Sequence, residues 1–177
     1  MPHSIRTATT DDAGALAALA AVTFPLACPP SASPQDIAAH LASTLSDRHF
    51  QAYLADPDVT VLVIDAEGGL RGYSLLVNRP ATDPDVVSAL EFLPSVELSK
   101  CYVHPGHHGL GAAAELMNAS LAAAAGSGGK GVWLGVNSQN ARAIRFYEKS
   151  GFRKVGTKSF RLGSTVEHDF VLERAVP

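Results

Sequence analysis

The stretch that decides the fold begins Val96-Glu97-Leu98-Ser99-Lys100-Cys101-Tyr102-Val103 and ends at Gly151-Phe152. Its opening run reads as a strand, stopped by Pro105. His107-His108-Gly109-Leu110-Gly111-Ala112-Ala113 follows and leads straight into a helix, in which Ala113, Leu116, Met117, Ser120, Leu121 and Ala124 recur at helical spacing. Gly126-Ser127-Gly128-Gly129 ends that helix. Val132, Leu134 and Val136 alternate as a second strand, Asn137 or Ser138 is the expected cap of the next helix, and Gly151 closes it. The first N–H groups of a helix have no partner inside it, and the helix dipole places partial positive charge there. A loop of Gly and Ala at that point lets a ligand approach the backbone closely, so it is a candidate cradle for a pyrophosphate or another anion.

On the N-terminal side, Ile5 to Ala8 reads as a short strand, and Thr10-Asp11-Asp12 starts a helix that runs to about Phe24. Four prolines between Pro25 and Pro34 predict a loop. Ser33-Pro34-Gln35-Asp36 starts a second helix with an apolar stripe of Ile37, Leu41, Thr44 and Leu45, and His49 to Leu54 adds a short helical turn. Val59–Asp65 and Leu70–Asn78 form a hairpin across Glu67-Gly68-Gly69. Pro80 to Pro84 is a loop, and Leu90 to Pro94 is read as a distorted lead into the central strand. On the C-terminal side, Arg153–Arg161 and Thr165–Arg174 are strands joined across Leu162-Gly163-Ser164. The order is α/β with a mixed sheet.

The chain's 177 residues suit one domain, 1–177, and 46% of them are hydrophobic, enough for a sizeable core. A net charge of −3 argues against a nucleic-acid surface. No run is apolar enough to span a membrane, and the start lacks the apolar stretch of a signal peptide, so the expected location is the cytoplasm. Cys28 and Cys101 are too few for a disulfide framework.

His108-x-x-Gly111-x-Ala113 resembles the [Q/R]-x-x-G-x-[G/A] acetyl-CoA loop of the GCN5-related N-acetyltransferases, with His108 standing where that family has Gln or Arg. Asn140-Ala141-Arg142-Ala143-Ile144-Arg145-Phe146-Tyr147-Glu148-Lys149-Ser150-Gly151-Phe152 resembles the family's N-x-x-A-x-x-x-Y-x-x-x-G-F helix. The resemblance implies a GNAT-like sheet of about six to seven strands flanked by about four helices. It also implies that the strands at Val96–Val103 and Val132–Val136 run parallel and splay apart, so that the pantetheine arm of acetyl-CoA lies between them. Acetyl-CoA would be the cosubstrate, with no metal. The acceptor would be a small-molecule or peptide amine, with no nucleic acid or membrane involved, and the resemblance leaves room for a homodimer.

Acetyl transfer from a thioester to an amine has three needs. The amine must be neutral, since an alkylammonium with a pKa of about 10 has no free lone pair. The carbonyl oxygen needs a preorganised donor as it gains charge, and the leaving thiolate needs a proton. Glu97 matches, by its spacing from the loop, the general base of some family members. Strand alternation puts it on one face with Ser99, Cys101 and Val103, and burial there should raise its pKa. Tyr147 matches the family's general acid. By position, His108, Gly109, Leu110, Gly111, Ala112 and Ala113 would wrap the pyrophosphate, and Tyr102 and Val103 would pair with the pantetheine through main chain. Asn137, Asn140, Cys101 and Phe146 complete the expected cofactor contacts. Val103 or a neighbour would supply the N–H for the carbonyl oxygen. Phe24, Phe50, Tyr53 and Phe160 are candidates for an acceptor pocket.

Other readings are weaker. His104, His107 and His108 lie close together, but no carboxylate or Cys has matching ligand spacing, so no metal is expected. Gly109-x-Gly111-x-x-Ala114 fits a dinucleotide fingerprint, yet the segment Lys130 to Val136, where an acid should meet the ribose, contains none. An acyl-CoA-binding sensor that kept the fold and lost the chemistry is the non-enzymatic alternative. The presence of both Glu97 and Tyr147 argues against it.

Overall fold

The computed structural model describes residues 2–177. In chain order it contains β1 (His3–Thr7), a 3-10 turn (Thr10–Asp12), α1 (Ala13–Ala27), α2 (Pro34–Thr44), α3 (Asp47–Ala55), β2 (Val59–Ala66) and β3 (Gly69–Val77). These are followed by α4 (Pro84–Ala89), β4 (Ser95–Val103), a 3-10 turn (Pro105–His107), α5 (Ala112–Gly126), β5 (Gly131–Asn137), α6 (Ala141–Lys149), β6 (Arg153–Leu162) and β7 (Thr165–Ala175). The strands form one seven-stranded mixed sheet in the order β1-β2-β3-β4-β5-β7-β6. Its neighbours are antiparallel except β4 and β5, which are parallel. The expected α/β class with a mixed sheet is therefore what the chain adopts.

The helices cover both faces. Leu16, Leu19 and Phe24 of α1 and Phe50 of α3 pack on Val61, Val63, Tyr73 and Leu75. Met117, Leu121 and Ala124 of α5 pack on Leu76, Leu98, Leu134 and Leu172 on the other face. Fully burying a Leu or Phe side chain contributes about 1.5–3 kcal/mol, so each face has its own hydrophobic anchor. Among the described residues no helix is long and apolar enough to cross a membrane.

Several elements differ from the expectations. α1 does not stop at Phe24 but carries Pro25 in its last turn and ends at Ala27. A proline there removes the N–H that would donate to the Ala21 carbonyl, and the helix runs only two residues beyond it. The end is closed by Cys28 N–H donating to Pro25 O (3.3 Å) and Cys28 Sγ donating to Phe24 O (3.4 Å). The turn expected at His49 to Leu54 is a full helix, capped by Ser46. The loop at Pro80 to Pro84 leads into the extra short helix α4, where Asp83 caps and Pro84 takes the first position.

Leu90 to Pro94 is not part of β4. The carboxylate of Glu173, fully buried, accepts the N–H groups of Glu91 and Phe92 at 3.0 Å and holds the segment beside β7. This contact fixes where β4 begins.

β4 itself is irregular. Leu75 faces Lys100 and Leu76 faces Leu98, so Ser99 is an extra residue with no partner on β3. Such a bulge shifts the alternation by one. Glu97, Lys100 and Tyr102 consequently share the face under α1 and α2, while Leu98, Cys101 and Val103 lie under α5. The shared face expected for Glu97, Ser99, Cys101 and Val103 does not exist, because strict alternation assumes an unbroken ladder.

Candidate active site

β4 and β5 pair only at Ser95–Gly131, Val96–Val132 and Glu97–Trp133. Beyond Glu97 both strands continue without pairing to each other, to Val103 and to Asn137. They open a cleft of about 660 Å³ that reaches both faces of the sheet. The splay implied by the resemblance is thus present.

The main chain of β4 is oriented for this gap. His104 N–H donates to Arg71 O on β3 (2.7 Å). In an antiparallel ladder alternate residues point their N–H and C=O to the same edge, so Tyr102 turns its main chain toward β3 while Cys101 and Val103 turn theirs into the gap. Val103 O accepts from His108 Nε2 (2.8 Å) on that side.

The Gly loop forms one end of the cleft. Gly109 and Gly111 have φ of +79° and +76°, a left-handed conformation that costs an L side chain about 1–2 kcal/mol. Gly111 is the N-cap of α5 and supplies no side-chain cap. Among the described residues the N–H groups of Gly109 through Ala114 donate to no protein acceptor, the first helical bond being Glu115 N–H to Gly111 O. Six consecutive donors at a helix N-terminus make a strong anion site. Gly109, Gly111, Ala113 and His108 line the cleft, whereas the side chains of Leu110 and Ala112 do not. Leu110 is exposed, and Ala112 packs beneath α5 against Leu62, Ile64 and Leu116. Leu110 and Ala112 can contribute only backbone.

His108 bridges rather than points outward. Its Nε2 meets Val103 O, and its Nδ1 accepts from Arg142 Nη2 of α6 (2.8 Å). The other nearby histidines look elsewhere: His104 Nδ1 accepts Gly106 N–H, and His107 meets His3. Asn140, not Asn137 or Ser138, caps α6, accepting Ala143 N–H (3.2 Å). Asn137 Oδ1 accepts Gln139 N–H (2.9 Å) in the turn before it. Both side-chain oxygens are engaged, and both residues still line the cleft together with Cys101, Tyr102, Val103 and Phe146.

Glu97 and Tyr147 also line the cleft, entering it from opposite faces of the sheet. Burial raises the Glu97 carboxyl above its ordinary value, with Lys100 and then Lys158 pulling the other way. Burial likewise lowers the Lys100 ammonium, against the pull of Glu97. Tyr147, wedged edge-on between Phe146 and Phe152, is held well above the ordinary phenol value by burial, so it keeps its proton. Burial pushes the Cys101 thiol up to about 12, which leaves no thiolate at neutral pH.

In the half of the cleft under α1 and α2, Phe24, Tyr53 and Phe160 of the expected acceptor pocket line the cleft, but Phe50 is buried beneath them, edge-on to Tyr53 and Tyr73. Residues without a motif dominate this side: His40, Lys100, Lys158, Glu167 and Asp169. Lys158 reaches over β5 where Gly135 has no side chain; a Cβ there would lie 2.6 Å from Lys158 Cε. For Lys100 the misleading signal was the assumed alternation, and for Glu167 and Asp169 the period-2 pattern of β7 was the only clue.

Comparison with known proteins agrees with this architecture. The family model described as acetyltransferase (GNAT) family matches residues 27–152. An uncharacterized N-acetyltransferase of Mycobacterium tuberculosis is 47% identical over 163 residues, covering 92% of this chain and 97% of the relative. The PaiA N-acetyltransferase of Thermoplasma acidophilum, solved in complex with coenzyme A, superposes with a TM-score of 0.77 at 20% identity over 99% of both chains. NAA60 of Arabidopsis thaliana, solved with a bisubstrate analogue, gives 0.76 at 16% identity over 99% of this chain and 100% of the other. A seven-stranded sheet that splays between β4 and β5, a bare Gly-Ala loop at the mouth of α5, and a family match over most of the chain lead to one assignment: this protein belongs to the GNAT family of acetyltransferases.

Proposed function

We propose that the protein transfers the acetyl group of acetyl-CoA to a primary amine by direct attack within a ternary complex. The observation that carries this reading is the run of unpartnered N–H groups from Gly109 to Ala114 beside an open parallel strand pair. Those donors suit the diphosphate of coenzyme A, and the gap-facing main chain of Cys101 and Val103 suits its pantetheine arm. When bound, acetyl-CoA supplies an activated acetyl thioester at the gap.

The chain's own residues would meet the three chemical needs. Glu97, a half-buried carboxyl with a raised pKa, accepts the proton from the incoming amine, directly or through a water. The Val103 N–H, turned into the gap, donates to the carbonyl oxygen as it gains charge. Tyr147, protonated at neutral pH, delivers a proton to the departing sulfur. Two free thiols, Cys28 and Cys101, fit a cytoplasmic setting.

The test is thiol release from acetyl-CoA over a panel of primary amines, with the product weighed by mass spectrometry. Equal amounts of free thiol and N-acetylated amine are expected. Tight CoA binding with no thiol release on any amine would overturn the reading in favour of a non-catalytic acyl-CoA sensor.

A further inference from the structure

The acceptor side of the cleft has an unbalanced set of charges. Three carboxylates, Glu97, Glu167 and Asp169, and two ammonium groups, Lys100 and Lys158, line it. Lys100 lies beside Glu97 and donates to Ser99 Oγ (3.1 Å). Lys158 lies 3.9 Å from Asp169 Oδ2 and faces it across the β6–β7 ladder. The two lysines are thereby matched to two carboxylates, and Glu167 is left over.

Glu167 and Asp169 project from the same face of β7, each 7% exposed, and each keeps one oxygen, Glu167 Oε1 and Asp169 Oδ1, fully shielded with no hydrogen-bond partner among the described residues. A shielded carboxylate oxygen without a donor is costly, and it is tolerated where a ligand supplies the missing donor. The walls around it are aromatic. Phe160 stands opposite Glu167 in register, and Phe24 stacks on His40 with ring centroids 4.6 Å apart, His40 meeting Phe160 edge-on at 5.6 Å. Aromatic faces beside a carboxylate favour an alkylammonium over an anion or a neutral polar group.

We propose that the acceptor amine carries a second cationic group and that Glu167, with Asp169 beside it, holds that group while the reacting amine lies at Glu97. This rests on the acetyl-transfer reading for the identity of the reacting group. The substrate class is then a diamine or a longer amine with an ammonium or guanidinium at its far end, and the residues that select it lie on β7, away from the loop that binds the cosubstrate.

The test compares butylamine with 1,4-diaminobutane and pentylamine with 1,5-diaminopentane, by steady-state acetylation and by titration calorimetry on the CoA-saturated protein. The diamine of at least one pair is expected to exceed its monoamine by about tenfold or more in kcat/KM and in affinity. In Glu167→Gln the ratio should fall toward one, mainly through KM, and Glu167→Asp, which keeps the charge, should restore part of it. A wild-type ratio near one in both pairs, or a ratio unmoved by Glu167→Gln, overturns the proposal. The two readings fail separately. Calorimetric preference without thiol release from any amine would sink the acetyl-transfer reading and leave the cation site standing. Acetylation without preference would do the reverse.

Discussion

The two halves of the cleft are built on different plans. The half under α5 and α6 works through backbone: unpartnered N–H groups at Gly109 to Ala114 and the gap-facing main chain of β4. The half under α1 and α2 works through side chains: Glu97, Lys100, Lys158, Glu167 and Asp169 set among aromatic rings. A backbone site demands small residues and left-handed turns at fixed positions, whereas a side-chain site can be assembled from any strands whose register brings the charges together. The first constrains sequence tightly and the second hardly at all. Under the proposed function, the same cosubstrate would be read by one half while the other half would be free to choose the acceptor.

The largest effect expected to separate the halves is on Glu97. Glu97→Gln should lower kcat/KM for the amine by about 10²- to 10⁴-fold at neutral pH, the range for loss of a general base, while the Kd for CoA moves little. Equal losses in both would mean that the two halves are not independent. Gly111→Val should do the opposite. A β-branched residue at φ +76° is strained, and forcing the loop out of that conformation turns its N–H groups away. CoA affinity should fall about tenfold or more, read by calorimetry, with the Km for the amine nearly unchanged.

Two smaller effects concern pH. In the proposed mechanism Glu97 acts in its ionised form, so kcat/KM should rise with pH through a midpoint above the ordinary carboxylate range, and Glu97→Gln should abolish that limb. The linked stability has a definite sign. A carboxyl whose pKa is raised by folding favours the folded state below its unfolded pKa and loses that contribution as pH rises through the folded value. Glu97→Gln should therefore melt higher than the wild type at pH 7 to 8, the gap closing in acid. A lower melting temperature at pH 7 to 8 would show that the ionised carboxylate is well paired, contrary to the desolvation that raises its pKa.

The contrast between the halves also explains what could be read from sequence. Gly109, Gly111 and the small residues of α5 announced an anion-binding helix start, because few other residue types tolerate that geometry. The strands and the two long helices beside them followed from apolar periodicity. The bulge at Ser99 could not be read: it arises from the register of β4 on β3, and no local residue pattern marks it. It alone moved Lys100 into the acceptor half and Cys101 out of it. Asn137 or Ser138 was expected to cap the helix after β5, but the backbone turns into that helix later, so Asn140 caps α6. α4 was hidden by the prolines around it, one of which, Pro84, begins it. Glu167 and Asp169 lie on a strand that reads as ordinary alternation, and only the pairing of β7 with β5 and β6 brings them to the cleft.

The central claim is that the mouth of α5 grips the diphosphate of coenzyme A through main-chain donors. Amide chemical shifts of the nitrogen-15-labelled protein, followed during titration with CoA, test it directly. The amide protons of Gly109 to Ala114 are expected to move downfield together as phosphate oxygens accept from them, with Cys101 and Val103 shifting in the same titration. Saturable CoA binding that leaves the Gly109–Ala114 amides unmoved would contradict it.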